Sequence, residues 1–122
     1  MGKRVIIVDD NLDAVMSMVK LLALDGHQAK GLGNAIGIVA EIKEFDADAV
    51  ILDIVMPQKT GWQAAREIRE KLPGPRPILI AMTGEYENAK GITKTLSAAE
   101  DFDYYLLKPV DPKVLTALLD RP

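Results

Sequence analysis

Apolar residues in this chain fall into short, largely β-branched runs that alternate with longer stretches in which they recur every three or four positions. Val5 to Val8 is too short for a helix and has no polar alternation, the pattern of a strand buried on both faces of a parallel sheet. From Asn11 to Leu24 the period changes: Leu12, Val15, Met16, Val19 and Leu22 fit one helical face, Ser17 and Lys20 fall between them, and Asp25-Gly26 supplies the stop. The alternation continues with a more polar strand around Gln28 to Gly31, a helix from about Asn34 to Glu44, and an apolar strand at Ala49 to Leu52. A loop holding Pro57 leads into a helix from about Gly61 to Lys71. Trp62, Ala65 and Ile68 lie on one side of it, with Arg66, Glu67, Arg69 and Glu70 largely facing water. Pro73-Gly74-Pro75 breaks that helix. Pro77 to Met82 then predicts a strand, Glu85 to Glu100 a helix interrupted by Gly91, and Tyr104 to Leu107 a fifth strand. Pro112 to Leu119 predicts a last helix, with Asp111 as its N-cap and Pro112 in its first turn. Five βα units in strict alternation mean an α/β fold, a parallel sheet with helices on both faces. No linker divides it, and residues 1–122 read as one domain.

Composition narrows the function. With 48% hydrophobic and 27% charged residues, the chain of 122 residues is of globular type and can bury a core. A net charge of −3, with 15 basic residues scattered rather than clustered, argues against direct nucleic-acid binding. The absence of cysteine removes disulfides, thiolate metal sites and a cysteine nucleophile. No apolar stretch reaches the ~20 residues of a membrane span, and Met1 to Arg4 does not open a signal peptide, so no membrane association and a cytoplasmic location are expected.

Four of the apolar runs end in a polar residue that can do chemistry: Val8 before Asp9-Asp10, Leu52 before Asp53, Met82 before Thr83, and Leu107 before Lys108. Open α/β sheets bind ligands outside the carboxyl ends of their strands, so these residues meet at one edge. Taken singly, each Asp also reads as an N-cap, Thr83 as a cap and Lys108 as a solvated side chain. Taken together, three crowded carboxylates require a cation or raised pKa values, and a hard divalent ion such as Mg2+ suits carboxylates, a backbone carbonyl and water. Nucleophile, metal site, lysine and hydroxyl donor make up the inventory for phosphoryl transfer to a carboxylate.

The ordered set Asp9-Asp10, Asp53-Ile54-Val55-Met56-Pro57 through Gly61, Thr83-Gly84 and Lys108-Pro109 resembles the receiver domain of bacterial two-component response regulators, of the chemotaxis-regulator type, over essentially the whole chain. The resemblance implies a flavodoxin-like (βα)5 three-layer sandwich, a doubly wound five-stranded parallel sheet with strand order 2-1-3-4-5. It implies a phosphorylation-dependent signalling switch rather than a turnover enzyme, with self-dephosphorylation and no output domain within 1–122. Asp53 is then the phosphoacceptor, served by a histidine kinase or histidine phosphotransfer protein. Asp10, Asp53 and the backbone carbonyl of Val55 would hold Mg2+, with Asp9 acting through a metal-bound water. Lys108 would pair with Asp53 and then with the phosphoryl group, and Thr83 would bond a phosphoryl oxygen. Tyr105 matches the family's aromatic switch position, turning inward to remodel the face made by the fourth helix, fifth strand and fifth helix. Val55 and Glu85 match positions that tune dephosphorylation, and a phosphorylation-dependent homodimer is a further partner the resemblance allows. The chain departs from the family where Gln58-Lys59-Thr60 precedes Gly61, where the stretch from Thr83 to Lys108 is lengthened, and where Asp101-Phe102-Asp103-Tyr104 replaces a small turn.

Two other chemistries use similar parts. An Mg2+-dependent aspartyl-phosphate phosphohydrolase of the haloacid dehalogenase class needs a second acid two residues past the nucleophile, where this chain has Val55. A flavin mononucleotide carrier needs a hydroxyl- and glycine-rich loop after the first strand, where Asp9-Asp10-Asn11 would repel the phosphate. His27, the single histidine, reads as a surface turn residue, and Trp62 and the methionines as packing groups.

Overall fold

Successive residues of a strand point to opposite faces of its sheet, and the central strands of this chain are apolar in both directions. In the computed structural model, which describes residues 2–56, 58–83 and 101–120, they build two cores back to back. The strands are β1 (Arg4–Val8), β2 (Gln28–Leu32), β3 (Ala49–Asp53), β4 (Ile78–Thr83) and β5 (Tyr104–Leu107). They form one parallel sheet in the order β2-β1-β3-β4-β5. Ile6, Val8, Val50, Leu52, Leu79 and Ala81 face one way, against helices α2 (Ile38–Phe45) and α3 (Gly61–Lys71). Val5, Ile7, Ala49, Ile51, Ile80 and Met82 face the other way, against α1 (Leu12–Leu24) and α4 (Pro112–Leu119). Each Val, Ile, Leu or Met side chain among them contributes about 1.5–3 kcal/mol when fully buried. A slip of one residue in β1 would exchange the two sets, so the register is tightly held.

The helix starts carry their own signals. Asn11 caps α1, its Oδ1 accepting from the Ala14 N–H at 3.1 Å. Thr60 and Gln63 form a reciprocal capping box at the start of α3. Asp111 accepts from the Lys113 N–H at 2.9 Å, with Pro112 in the first turn of α4. The sequence places the start of the second helix near Asn34, but α2 begins at Ile38. Asn34 Oδ1 instead accepts from the Ile36 N–H at 2.9 Å, and Gly37 adopts φ +74°. That turn uses Asn34 locally and delays the helix by one turn. The predicted helix over 85–100 lies outside the described residues.

The two edge strands differ. β2 reads Gln-Ala-Lys-Gly-Leu and is only partly buried, whereas β5 reads Tyr-Tyr-Leu-Leu, with Tyr105 and Leu107 exposed. Arg69, expected to face water, is instead a hub that ties α3 to the segment leading into β5. Its guanidinium donates to the Asp101 carbonyl at 3.1 Å, the Pro77 carbonyl at 3.0 Å and the Asp103 carboxylate at 2.7 Å. Asp103 accepts the Leu79 N–H at 2.8 Å as well.

α3 starts at a glycine for a spatial reason. A Cβ on Gly61 would lie 2.5 Å from the Asp53 carbonyl oxygen and 2.9 Å from Ile54 Cα, both backbone atoms that cannot swing away. Gly61→Ala is therefore expected to lower stability by about 1–3 kcal/mol in urea unfolding, despite alanine's better helix propensity. An unchanged or raised midpoint would show that α3 shifts without cost.

Candidate functional site

The register decides which strand-end residues meet. Val8 pairs with Leu52, so Asp9, the next residue, emerges beside Asp53. Thr83 pairs with Leu107, which delivers Lys108 to the same edge one residue later. Asp9 and Asp53 are only 2% and 5% exposed, while Asp10 is open to solvent.

Each buried carboxylate is held by nearby donors. Asp9 Oδ1 accepts the Asn11 N–H at 3.0 Å, so the residue that caps α1 also fixes this acid. Asp9 Oδ2 accepts from Lys108 Nζ at 2.7 Å, and the same Nζ lies 3.2 Å from Asp53 Oδ2. Asp53 Oδ1 accepts the Val55 N–H at 3.3 Å, and the Val55 side chain is exposed. The sequence reading pairs Lys108 with Asp53; the structure gives its shorter bond to Asp9, with Asp53 as the second partner.

These contacts divide the charge unequally. Burial pushes the Asp53 carboxyl above the usual carboxylate range, and the neighbouring Asp9 charge adds to it against the pull of Lys108. Burial works on Asp9 too, but there the Lys108 and Asn11 hydrogen bonds outweigh it and the carboxyl is held below its ordinary value. Burial alone would lower Lys108, yet its bonds to the two acids raise it, so it remains an ammonium. Among the described residues a single cation thus serves two acids, and Asp53 is the one left with unsatisfied negative charge. Asp9, Asp10 and Asp53 each bring a carboxylate oxygen within 4.8 Å of the others, a hard oxygen set that fits Mg2+.

Thr83 closes β4 at the same edge, but its side chain lies outside the described structure, as do Gly84 and Glu85. Tyr105 lies on β5 three residues before Lys108, and its ring contacts those of Phe102 and Trp62, at centroid separations of 5.7 and 6.4 Å.

His27 overturns its reading as a surface residue. It is 5% exposed, and its Nδ1 accepts the Lys3 N–H at 2.9 Å. Its Nε2 sits 3.4 Å from Asp25 and 3.5 Å from Asp120, a second cluster of potential metal ligands. The accepting Nδ1 decides against a metal there. A ligating histidine donates from its other nitrogen, whereas this ring keeps a lone pair on Nδ1 and its proton on Nε2. The only sequence signal for this burial was position, since His27 directly precedes β2.

Residues 5–120 match the family model described as the response regulator receiver domain. The chain is 33% identical over 113 residues to the protein PilH of Pseudomonas aeruginosa, covering 92% of this chain and 90% of that protein. It is 31% identical over 122 residues to the chemotaxis protein CheY of Thermotoga maritima, covering 99% and 98%. Among solved structures, a CheY-like receiver domain from Methylobacillus flagellatus superposes with a TM-score of 0.81 at 28% identity, covering 98% of this chain and 97% of that one.

Two outcomes follow from this geometry. Lys108→Ala is expected to cost about 1–3 kcal/mol at neutral pH, because it strands two adjacent buried acids, while Asp53→Asn is expected to gain up to about 1 kcal/mol by removing one of them. Urea unfolding of both variants checks the opposite signs; two changes of the same sign would contradict the division of charge. The second outcome concerns Tyr105, whose phenol is pushed from an ordinary 10.0 up to about 12 by burial and by the Asp101 charge. A folded-state value above the unfolded one means that the stability it contributes is complete below pH about 10 and is lost as pH rises towards about 12. Tyr105→Phe should flatten that alkaline loss in thermal melts, and an identical slope in both proteins would contradict it.

Proposed function

The chain belongs to the response regulator receiver domain family, a family of regulatory two-component signalling domains, and on that premise we propose that Asp53 is its phosphoacceptor. The observation that carries this reading is the sharing of Lys108 between Asp9 and Asp53, at 2.7 and 3.2 Å, where three strand ends converge. Asp53 is the buried acid whose charge is least compensated, and an ionised carboxylate needs no separate base to act as a nucleophile.

The donor is a phosphohistidine of a histidine kinase or phosphotransfer protein. One Asp53 oxygen forms a bond to phosphorus as the histidine nitrogen–phosphorus bond breaks, and the electron pair leaves on the imidazole. The transition state is loose, so the protein's task is to align the groups and stabilise charge on the peripheral oxygens. Asp9, Asp10, Asp53 and the Val55 carbonyl are the groups that would hold Mg2+. When bound, the ion neutralises charge on the phosphoryl oxygens. Lys108 already faces Asp53 and follows the negative charge onto the new phosphoryl group. Thr83, at the end of β4, donates its hydroxyl to a phosphoryl oxygen, and the Val55 N–H orients the acceptor. The product state differs from the starting state in where Lys108 and Thr83 are drawn. This biases Tyr105 and the face formed by the fourth helix, fifth strand and fifth helix of the family, which partners read.

Incubation with acetyl phosphate and Mg2+ should add one phosphoryl mass to the intact chain, visible by mass spectrometry. Asp53→Asn should abolish the addition, and chelation of divalent ions should suppress it in the wild type. Labelling that survives in Asp53→Asn would place the acceptor elsewhere.

A further inference from the structure

Two physical connections run from Asp53 to Tyr105, and they approach it from opposite sides. The first runs through α3. Gly61 lies so close to the Asp53 carbonyl that a side chain would collide with it, and its N–H donates to the Ile54 carbonyl at 3.0 Å. Ile54 in turn donates to the Met82 carbonyl at 3.0 Å, so the first residue of α3 is fixed to the acceptor's own backbone and to β4. The next residue is Trp62. Its ring lies 6.4 Å from that of Tyr105 at 48°, and 5.5 Å from that of Phe102 at 74°.

The second connection runs through β5. Tyr105 is followed three residues later by Lys108, whose Nζ lies 3.2 Å from Asp53. The far end of α3 is tied to the base of β5, at the opposite end of that strand from Lys108, and to the residue before β4. Arg66 holds Asp101 at 3.1 Å, and Arg69 grips Asp101, Pro77 and Asp103. The loop Asp53, Gly61, Trp62, Tyr105, Lys108 and back to Asp53 is therefore closed. Away from the reacting groups, its side-chain joint is the contact of Trp62 with Tyr105, bridged by Phe102.

We propose that Trp62 is a positioning residue for Tyr105, through which α3 forms a second arm of the conformational readout of Asp53. The inference rests on Asp53 being the phosphoacceptor and goes beyond it by adding α3 to the surface that changes. A phosphoryl group on Asp53 draws Lys108 from Asp9 and displaces the tip of β5. α3 is anchored at both ends, so the displacement is taken up where the two aromatic rings meet. Packed interfaces respond by changing between discrete arrangements rather than by stretching. Tyr105 is 37% exposed, which leaves its ring space to move. Coupling of this kind is reciprocal in equilibrium terms, so the Trp62 contact must also influence how tightly the Asp53 end holds a phosphoryl group or its mimic.

Trp62 is the only tryptophan, so tryptophan emission reports on the surroundings of this one ring. The full chain is treated with acetyl phosphate and Mg2+, and emission is followed alongside intact mass. Wild type should show an emission change that tracks the phosphoryl mass, Asp53→Asn should show neither, and Tyr105→Leu should keep the mass but lose the emission change. Trp62→Leu should alter the equilibrium affinity of the Asp53 site for beryllofluoride with Mg2+, a phosphoryl mimic, by about two-fold or more in calorimetry, whereas Trp62→Phe, which keeps an aromatic ring against Tyr105, should restore it towards wild type. A phosphorylated wild type with unchanged emission overturns the inference, as does an emission change that survives in Tyr105→Leu, or a beryllofluoride affinity that is the same in all three Trp62 forms. Failure to add a phosphoryl mass to the wild type would overturn the acceptor assignment itself, and the inference with it.

Discussion

Two carboxylates lie side by side with almost no access to water, and one ammonium group holds them there. Without Lys108 the meeting of Asp9 and Asp53 would be a defect, since adjacent buried acids resist joint ionisation. With it, the charge is compensated in part and unevenly: Asp9 takes the shorter bond, and Asp53 keeps negative charge that a divalent cation could neutralise. The rest of the fold maintains that imbalance. The back-to-back cores fix the register, the register sets Asp9 beside Asp53, and the short β5 delivers the lysine from the edge of the sheet.

Much of this was legible in the residue order because parallel strands buried on both faces leave an unambiguous mark. Val5 to Val8 and Ala49 to Leu52 have no polar alternation, so they declare both their type and their central place. Their ends are equally plain, because a polar residue after such a run has only the sheet edge to occupy. Asp9, Asp53 and Lys108 therefore appear in the structure at the edge that the sequence predicts. The second helix was less legible. Asn34 is compatible with a cap and with a turn, and only the backbone of Gly37 shows that the turn wins.

Long-range pairing was the part that sequence could not convey. Arg69 looks like any charge on a solvated helix until Pro77, Asp101 and Asp103 are brought to it from elsewhere in the chain. His27 looks like a turn residue until the N–H of Lys3 and the end of α4 close around it. The preference of Lys108 for Asp9 over Asp53 is a matter of tenths of an ångström, set by Asn11 and Val55 holding the acids from behind. Periodicity registers which face a residue occupies. It carries no information about which distant group arrives there.

The unlike edges of the sheet bear on how each border would meet another strand. An edge strand offers unpaired N–H and C=O groups to any other strand that comes within reach. On one side, β2 presents Gln28, Lys30 and a glycine, a charged and pliable border that makes a poor template for a neighbour. On the other side, β5 has no charge in its four residues and is short. Gly31 has no freedom to vary within the β2 border, because a Cβ there would lie 2.3 Å from Val15 Cγ1, so what discourages a neighbouring strand there rests on Gln28 and Lys30.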